Sequence, residues 1–280
     1  MTESGAAHAP SAEHVRRLLT EGELSLYGQV PSASNLTLVC RVNLGAESLR
    51  CVYKPVRGER PLWDFPDGTL AGREVAARLI DATLGWDLIP ETVLRAEGPP
   101  EAELGPGMLQ VWIDQPEEPV GLEPVEIVPA DAVPDGYVPI LRAHDDDGSV
   151  VAVAHATDER LQRLAVLDAI LNNADRKGGH ILVDADGRLY GIDHGLTLHR
   201  EPKLRTILWG WAGRTVDEQT RAELVDLGER LREDGELAAQ MGTLISAAEV
   251  DALRERIAAL AAGEPLPHPP HDRAIPWPPF

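Results

Sequence analysis

Between Asn35 and Val56 the chain alternates in hydrophobicity. Leu36, Leu38, Cys40 and Val42 fall on one side, and Asn35, Thr37, Val39 and Arg41 on the other; the alternation resumes after Gly45-Ala46 through "SLRCVYKPV". A period of two marks strands, so this stretch predicts a β-hairpin. Setting Cys40 opposite Cys51 places Thr37 opposite Lys54, and Asn35, Thr37 and Lys54 then share one face of the sheet. Upstream, "SAEHVRRLLTEG" predicts a short helix capped at Ser11, behind a frayed start over residues 1–12. Downstream, "AGREVAARLIDATLG" predicts a helix with Val75, Leu79 and Ala82 over a core and Gly85 as its stop. Strand patterns return in "IPETVLRAE" and "GMLQVWID".

From Gln115 to about Gly148 the pattern gives way to a Pro-rich, acidic stretch, which reads as an interlobe connector or a mobile insertion. The second half opens on a helix over roughly 158–172, with Leu161, Leu164, Asp168 and Leu171 at helical spacing. Two short strands, "HILVD" and "LYGID", flank a turn at Asp186-Gly187, and two or three helices follow between about 215 and 263. The Pro-rich "GEPLPHPPHDRAIPWPPF" reads as extended and carries no catalytic signature. The order predicts an α+β, two-lobed fold: a β-rich N-lobe over 1–114, a connector over 115–150, a mainly helical C-lobe over 151–264 and a tail over 265–280. A nucleotide would lie in the cleft between such lobes.

Composition narrows the function. With 280 residues and 43% hydrophobic content the chain can bury a sizeable core. A formal charge of -20 makes nonspecific binding to nucleic acid or to an anionic membrane surface unfavourable over most of the surface. The start of the chain lacks the basic and apolar regions of a secretory signal, and no stretch approaches a membrane span of about 18 apolar residues. A cytoplasmic location without integral membrane association is the expectation. Cys40 and Cys51, too few for a disulfide framework, read as reduced core thiols.

The segment "NNADRKGGHILVDADGRLYGIDHG", 172–195, concentrates the candidate chemistry. Phosphoryl transfer needs a cation on the nucleotide phosphates, a group that holds the cation, acidic metal ligands, and a group that orients the acceptor hydroxyl. Lys54 on its strand can serve as the first, and Glu74, twenty residues on, as the second. Each also has a plainer reading: an exposed lysine, and a solvated glutamate in the first turn of a helix. Asp175 and His180 are five apart, the separation of catalytic aspartate and metal-holding asparagine in the kinase loop, and Asp193 lies eighteen beyond Asp175. The alternative is a surface turn with a Lys-Arg pair, followed by an ordinary hairpin. That alternative leaves unexplained an aspartate placed after an apolar strand, where burial without a cation is costly.

Taken in order, "CVYKP", "GREVAARLID", "IPET", "LQVWID", "LNNADRKGGHILV" and "GIDHG" resemble an actinobacterial family remotely similar to the phosphatidylinositol 3-/4-kinase-like superfamily, which includes HipA-type serine kinases. The resemblance spans about residues 25–215. It implies a protein-kinase-like, phosphatidylinositol-kinase-like fold that uses ATP with Mg²⁺ or Mn²⁺. By position, Lys54 would contact the phosphates and Glu74 would anchor it. Gln110, Val111, Trp112 and Ile113 would border the adenine, and "GQVPSASN" (28–35) would cover the phosphates with Ser34 and Asn35 closest. Asp175 would be the catalytic aspartate, with His180 and Asp193 as metal ligands. The chain departs from the lipid-kinase pattern at Lys177, where those kinases have histidine, and at His180, where they have asparagine. Imidazole suits Mn²⁺ better than Mg²⁺.

Downstream, Arg200, Lys203, Arg205 and Arg214 face a single acid, Glu201, between 199 and 214. In so acidic a chain this points to an anionic acceptor or protein substrate, or else to local pairing with neighbouring carboxylates. Trp209 and Trp211 read as core anchors, and the histidines of "HPPH" are too few for a metal site. The residues thus suit an ATP-dependent kinase acting on a hydroxyl of a protein or small polyol. A nucleotide-binding protein without catalysis, or a nucleotidyl transferase on the same scaffold, stays open beside it.

Overall fold

The computed structural model describes residues 11–31, 33–118, 120–121, 123–270 and 273–280. Most of the frayed start, Ser32 of the expected phosphate-covering turn and His271 of "HPPH" lie outside the described residues. The chain divides into two compact units: Met1–Arg60 with Glu91–Trp112, and Pro61–Pro90 with Ile113–Phe280.

The first unit is a helix on an antiparallel sheet. Helix α1 (Ala12–Glu21) starts at Ser11, whose side chain accepts the His14 N–H. Strands β1 (Glu23–Gln29), β2 (Leu38–Leu44), β3 (Glu47–Pro55), β4 (Thr92–Arg95) and β5 (Gly107–Val111) order as β1-β2-β3-β5-β4. The β2–β3 hairpin pairs Cys40 with Cys51, the register expected from the alternation, and its ladder runs to Leu38 opposite Tyr53. Leu38, Cys40, Val42, Cys51 and Tyr53 thereby reach one face, where Leu18, Leu19, Val93 and Leu109 cover them. Both thiols are free, and burial pushes them up to about 11 for Cys40 and about 12 for Cys51, so they stay protonated. Strand β1 carries no clear alternation. It buries only Leu24 and is interrupted by a bulge between Leu26 and Gly28.

The second unit holds the remaining helices. Helix α2 (Leu70–Leu84) is capped by Thr69 and stopped by Gly85 at φ 69°. Strands β6 (Val125–Pro129), β7 (Tyr137–His144) and β8 (Val150–Ala156) form a separate antiparallel sheet, ordered β6-β8-β7. Then come α3 (Glu159–Leu171), the hairpin β9 (Ile181–Val183) and β10 (Leu189–Gly191), and helices α4 (Glu218–Arg230), α5 (Glu236–Gly242) and α6 (Ala247–Ala261). Ala76, Ala77 and Ile80 of α2 share a core with Leu164 and Leu167 of α3, Leu224 of α4 and Leu253 of α6.

Three features differ from the sequence pattern. Residues 125–129 and 137–144, inside the stretch expected as a connector, are strands closed by β8. Helix α2, expected with the N-lobe, clusters with the second unit because its small apolar side chains fill that core. Its most buried face is also not the one expected: Leu79 is only partly buried, whereas Arg73, Glu74, Arg78 and Asp81 are buried beside Ala76, Ala77 and Ile80. An amphipathic reading assigns charge to solvent, and α2 breaks that rule by giving its charges internal partners.

Candidate active site

The segment after α3 is built by side chains that hold backbone. Asn172 ends the helix in the left-handed conformation, φ 54°. Its Nδ2 donates to the carbonyls of His199 (2.9 Å) and Glu201 (2.6 Å), and its Oδ1 accepts the Lys203 N–H at 2.8 Å. The segment 199–203 is therefore tied to the end of α3. Asn173 donates to Asp168 Oδ1 at 2.9 Å and accepts the Asp175 N–H at 2.9 Å, which sets the backbone of Asp175.

Arg176 is the hub. Its side chain is wholly buried and forms an ion pair at 2.9 Å with Asp168, equally buried on α3. Its Nη1 donates to the carbonyls of His180 (3.2 Å) and Ile192 (2.9 Å), and its Nη2 donates to His194 Nε2 at 2.6 Å. One guanidinium thus joins α3, the 175–180 loop and the turn after β10. Gly191 makes room for it, since an added Cβ would lie 2.8 Å from Leu164 and 3.2 Å from Arg176. The surface Lys-Arg pair of the plainer reading is therefore half wrong: Arg176 is interior, and Lys177 forms a 3.5 Å ion pair with Asp175.

Asp193 is held from both sides. The Ile192 N–H donates to the His180 carbonyl at 2.9 Å, and the His194 N–H donates to Glu74 Oε2 at 2.9 Å. Between these anchors Asp193 adopts φ 60°, a left-handed conformation that costs a non-glycine residue about 1–2 kcal/mol. Glu74 is 1% exposed, which removes the solvated first-turn reading. Its observed bond goes to the backbone that carries Asp193.

Asp175, His180 and Asp193 are brought together. His180 Nδ1 lies 3.0 Å from the Asp175 carbonyl oxygen, and Nε2 lies 3.4 Å from Asp193 Oδ2. A carbonyl only accepts, so Nδ1 carries a hydrogen, and Nε2 is the ring atom turned toward the Asp193 carboxylate. Either a proton on Nε2 or a metal cation between the two groups satisfies the pair. The Asp193 side chain is 45% exposed, so the burial expected after the apolar strand does not occur and the carboxylate is open to a ligand. Burial raises the Asp175 carboxyl above its ordinary value, Asp193 adds to the rise, and Lys177 and Arg205 oppose it.

Among the described residues no three His, Cys, Asp or Glu side chains gather closely enough to hold a metal ion by themselves. One carboxylate and one imidazole fit a hydrated divalent ion whose shell is completed by phosphate oxygens, not a closed protein cage.

The other expected site residues are placed as follows. Lys54 is half-buried on β3, opposite Met108 of β5. Thr37 Oγ1 donates to the Asn35 carbonyl at 3.2 Å, Asn35 Oδ1 accepts the Arg60 N–H at 2.9 Å, and Ser34 is exposed. Gln110 is buried and bonds Thr92 Oγ1 at 2.8 Å, the Val111 N–H donates to the Glu91 carbonyl, and the Trp112 N–H donates to the Arg50 carbonyl. Gln110 is thus engaged within its own sheet. Ile113 begins the other unit. Lys203 Nζ lies 3.4 Å from Asp64, and Arg205 Nε donates to the Ala174 carbonyl at 2.8 Å, so local pairing takes up both, while Arg200 and Arg214 are exposed. Trp209 and Trp211 are buried, as expected of core anchors.

The positioning residues Asp168, Asn172, Asn173, Arg176 and His194 have no role in the sequence reading. One signal was present: Asp168 stands among leucines at a core-facing helix position, and a buried carboxylate requires a cation, which Arg176 supplies eight residues on.

Residues 158–248 match the family model for phosphatidylinositol 3- and 4-kinase. Protein Rv2133c of Mycobacterium tuberculosis is 51% identical over 269 residues, which is 94% of each chain. Among solved structures, the Golgi casein kinase aligns with TM-score 0.54 at 13% identity, covering 90% of this chain and 76% of that one. The same kinase with Mn and ADP bound gives 0.53 at 14%, covering 90% and 74%, and hydra Fam20 with sugar gives 0.50 at 15%, covering 90% and 87%. At such identities the likeness establishes the fold, which is kinase-like and α+β.

Proposed function

The chain belongs to the same family as Protein Rv2133c, a family with a kinase-like fold, and we propose on that basis that it is an ATP-dependent phosphotransferase acting on a hydroxyl acceptor. The observation that carries the reading is the meeting of Asp175, His180 and Asp193 on one loop and turn, with His180 Nε2 turned toward the Asp193 carboxylate. Asp193 and His180 would hold a divalent ion, Mg²⁺ or Mn²⁺, which would neutralise charge on the triphosphate. Lys54 would place its ammonium on the phosphates, with Ser34 and Asn35 covering them and Gln110 to Ile113 along the base. Glu74 would steady Lys54 as it steadies the turn that carries Asp193.

Asp175 would accept the proton of the acceptor hydroxyl as its oxygen bonds the terminal phosphorus and the bond from that phosphorus to the bridging oxygen breaks, releasing ADP. Its raised carboxyl suits a base, and turnover should rise with pH as that carboxyl ionises. The acceptor is a protein serine or threonine or a small polyol, and Arg200 and Arg214 are the exposed residues of the basic stretch that could meet an anionic one. Among the described residues no helix is long and apolar enough to cross a membrane.

Incubation with γ-labelled ATP and Mn²⁺ tests the reading: labelled acceptor or released phosphate, lost in Asp175→Ala and Asp193→Ala, is the expected result. Thermal stabilisation by ATP without turnover would instead establish a nucleotide-binding regulator. Mn²⁺ should support turnover better than Mg²⁺, and His180→Asn should remove the difference.

A further inference from the structure

Gly178 sits in the middle of the 175–180 loop, between Lys177, paired with Asp175, and His180. It is buried, and its φ lies outside the left-handed region, so backbone conformation does not demand glycine. The neighbour does. A Cβ at 178 would lie 2.6 Å from the Phe280 ring, and the Gly178 N–H donates to the Pro279 carbonyl at 2.8 Å.

The segment that brings Phe280 there is itself anchored. The Ala274 carbonyl accepts both the Thr206 N–H (3.2 Å) and Trp209 Nε1–H (2.8 Å), and Ile275 packs on the core of the unit. The middle stretch is in turn bonded to the loop: the Arg176 N–H donates to Arg205, the Ile207 N–H donates to Arg176, and Thr206 bridges Arg176 in parallel. The pieces 176–178, 205–207 and 274–279 are therefore joined by backbone hydrogen bonds. The Arg176 side chain supports the loop from the α3 side, and Phe280 with the Pro279 carbonyl supports it at Gly178.

We propose that Phe280, with the Pro279 carbonyl, is a positioning residue for the phosphotransfer loop, and that Gly178 is glycine in order to receive it. The inference rests on the phosphotransferase reading for its catalytic consequence, but not for its structural one. Phe280 touches no expected substrate group; it acts by holding the stretch from Asp175 to His180.

Two readouts test this in the full chain. Hydrogen exchange of the peptide covering 174–182 should quicken about tenfold in Phe280→Ala, the loss expected for one hydrogen bond, while peptides in α4 and α6 keep their protection. In the transfer assay kcat should fall on the order of 10- to 100-fold in Phe280→Ala, with KM for ATP within about twofold, and Phe280→Tyr should restore both readouts. Gly178→Ala should lower kcat similarly, and the double variant Gly178→Ala/Phe280→Ala should recover part of that loss, because the new methyl enters the vacated space. Unchanged exchange at 174–182 in Phe280→Ala overturns the proposal, as does a loss of protection spread evenly over the unit. A wild type that transfers no phosphate removes the phosphotransferase reading, and the exchange result then decides alone whether Phe280 holds the loop.

Discussion

The two units position candidate chemistry by opposite means. In the first, the cluster beneath β2 and β3 is apolar and thiol-bearing, and the β2–β3 register fixes the strand face from which Lys54 projects. In the second, charges are drawn inside: Arg176 with Asp168, and Arg73 with Glu249 at 2.5 Å, are pairs in which both side chains are at most 1% exposed. Arg73 also donates to the carbonyls of Thr197 (2.7 Å) and Asp67 (2.8 Å). A ladder fixes side chains at every second residue without further help, but a loop has no ladder. Asp175 and Asp193 lie on loops, and buried guanidiniums supply the missing backbone partners.

If this contrast is right, removing a charge should hurt the second unit far more than the first. The largest effect is expected for Arg176→Ala, which strands the Asp168 carboxylate and should cost roughly 3–5 kcal/mol in chemical denaturation. Arg176→Met/Asp168→Leu should recover much of that stability without recovering phosphate transfer, since the bonds to His180, Ile192 and His194 stay lost. A stable single variant would break the comparison.

Asp81 is the exception in the second unit, a buried carboxyl that the fold favours in its neutral form. Burial raises its carboxyl to about 6 despite the Leu88 and Ile89 N–H groups and Arg78, against an ordinary value of 3.8. The folded state thus binds this proton more tightly than the unfolded one. Its contribution is largest below about pH 4 and is lost as pH rises to about 6, an effect on the order of 3 kcal/mol that Asp81→Asn should flatten in pH-resolved melting.

In the first unit, Cys51→Ala should cost about 1–2 kcal/mol, a packing loss without charge, and should show no dependence on reductant because the thiols are unbridged. Lys54→Met should act chiefly on the ligand, weakening ATP binding measured by calorimetry. A large stability loss there would mean that Lys54 is a structural cation.

The same contrast explains what could be read from residues alone. The hairpin, its Cys40–Cys51 register, α3 and the β9–β10 turn follow from alternation, caps and Asp-Gly chemistry, all of them local. Asp175, His180 and Asp193 were legible as a set because their spacing belongs to one loop and one hairpin. What stayed hidden depends on distant pairs. The burial of Arg73 and Glu74 follows from Glu249 and His194, more than a hundred residues away, and no periodicity in α2 announces it. Strands β6 and β7 were masked by prolines and acids, with β8 following only after "DDDG". The space that a side chain at Gly178 would need is taken by Phe280, far along the chain, and no local pattern announces it.

The central claim is that Asp193 and His180 together hold the ion that carries the nucleotide. A crystal structure of the protein soaked with Mn²⁺ and a non-hydrolysable ATP analogue, read by the anomalous signal of manganese, tests it most directly. The account predicts one peak bonded to the Asp193 carboxylate, His180 Nε2 and phosphate oxygens, with Asp175 free to face the terminal phosphate; manganese and nucleotide bound away from 193 and 180 would contradict it.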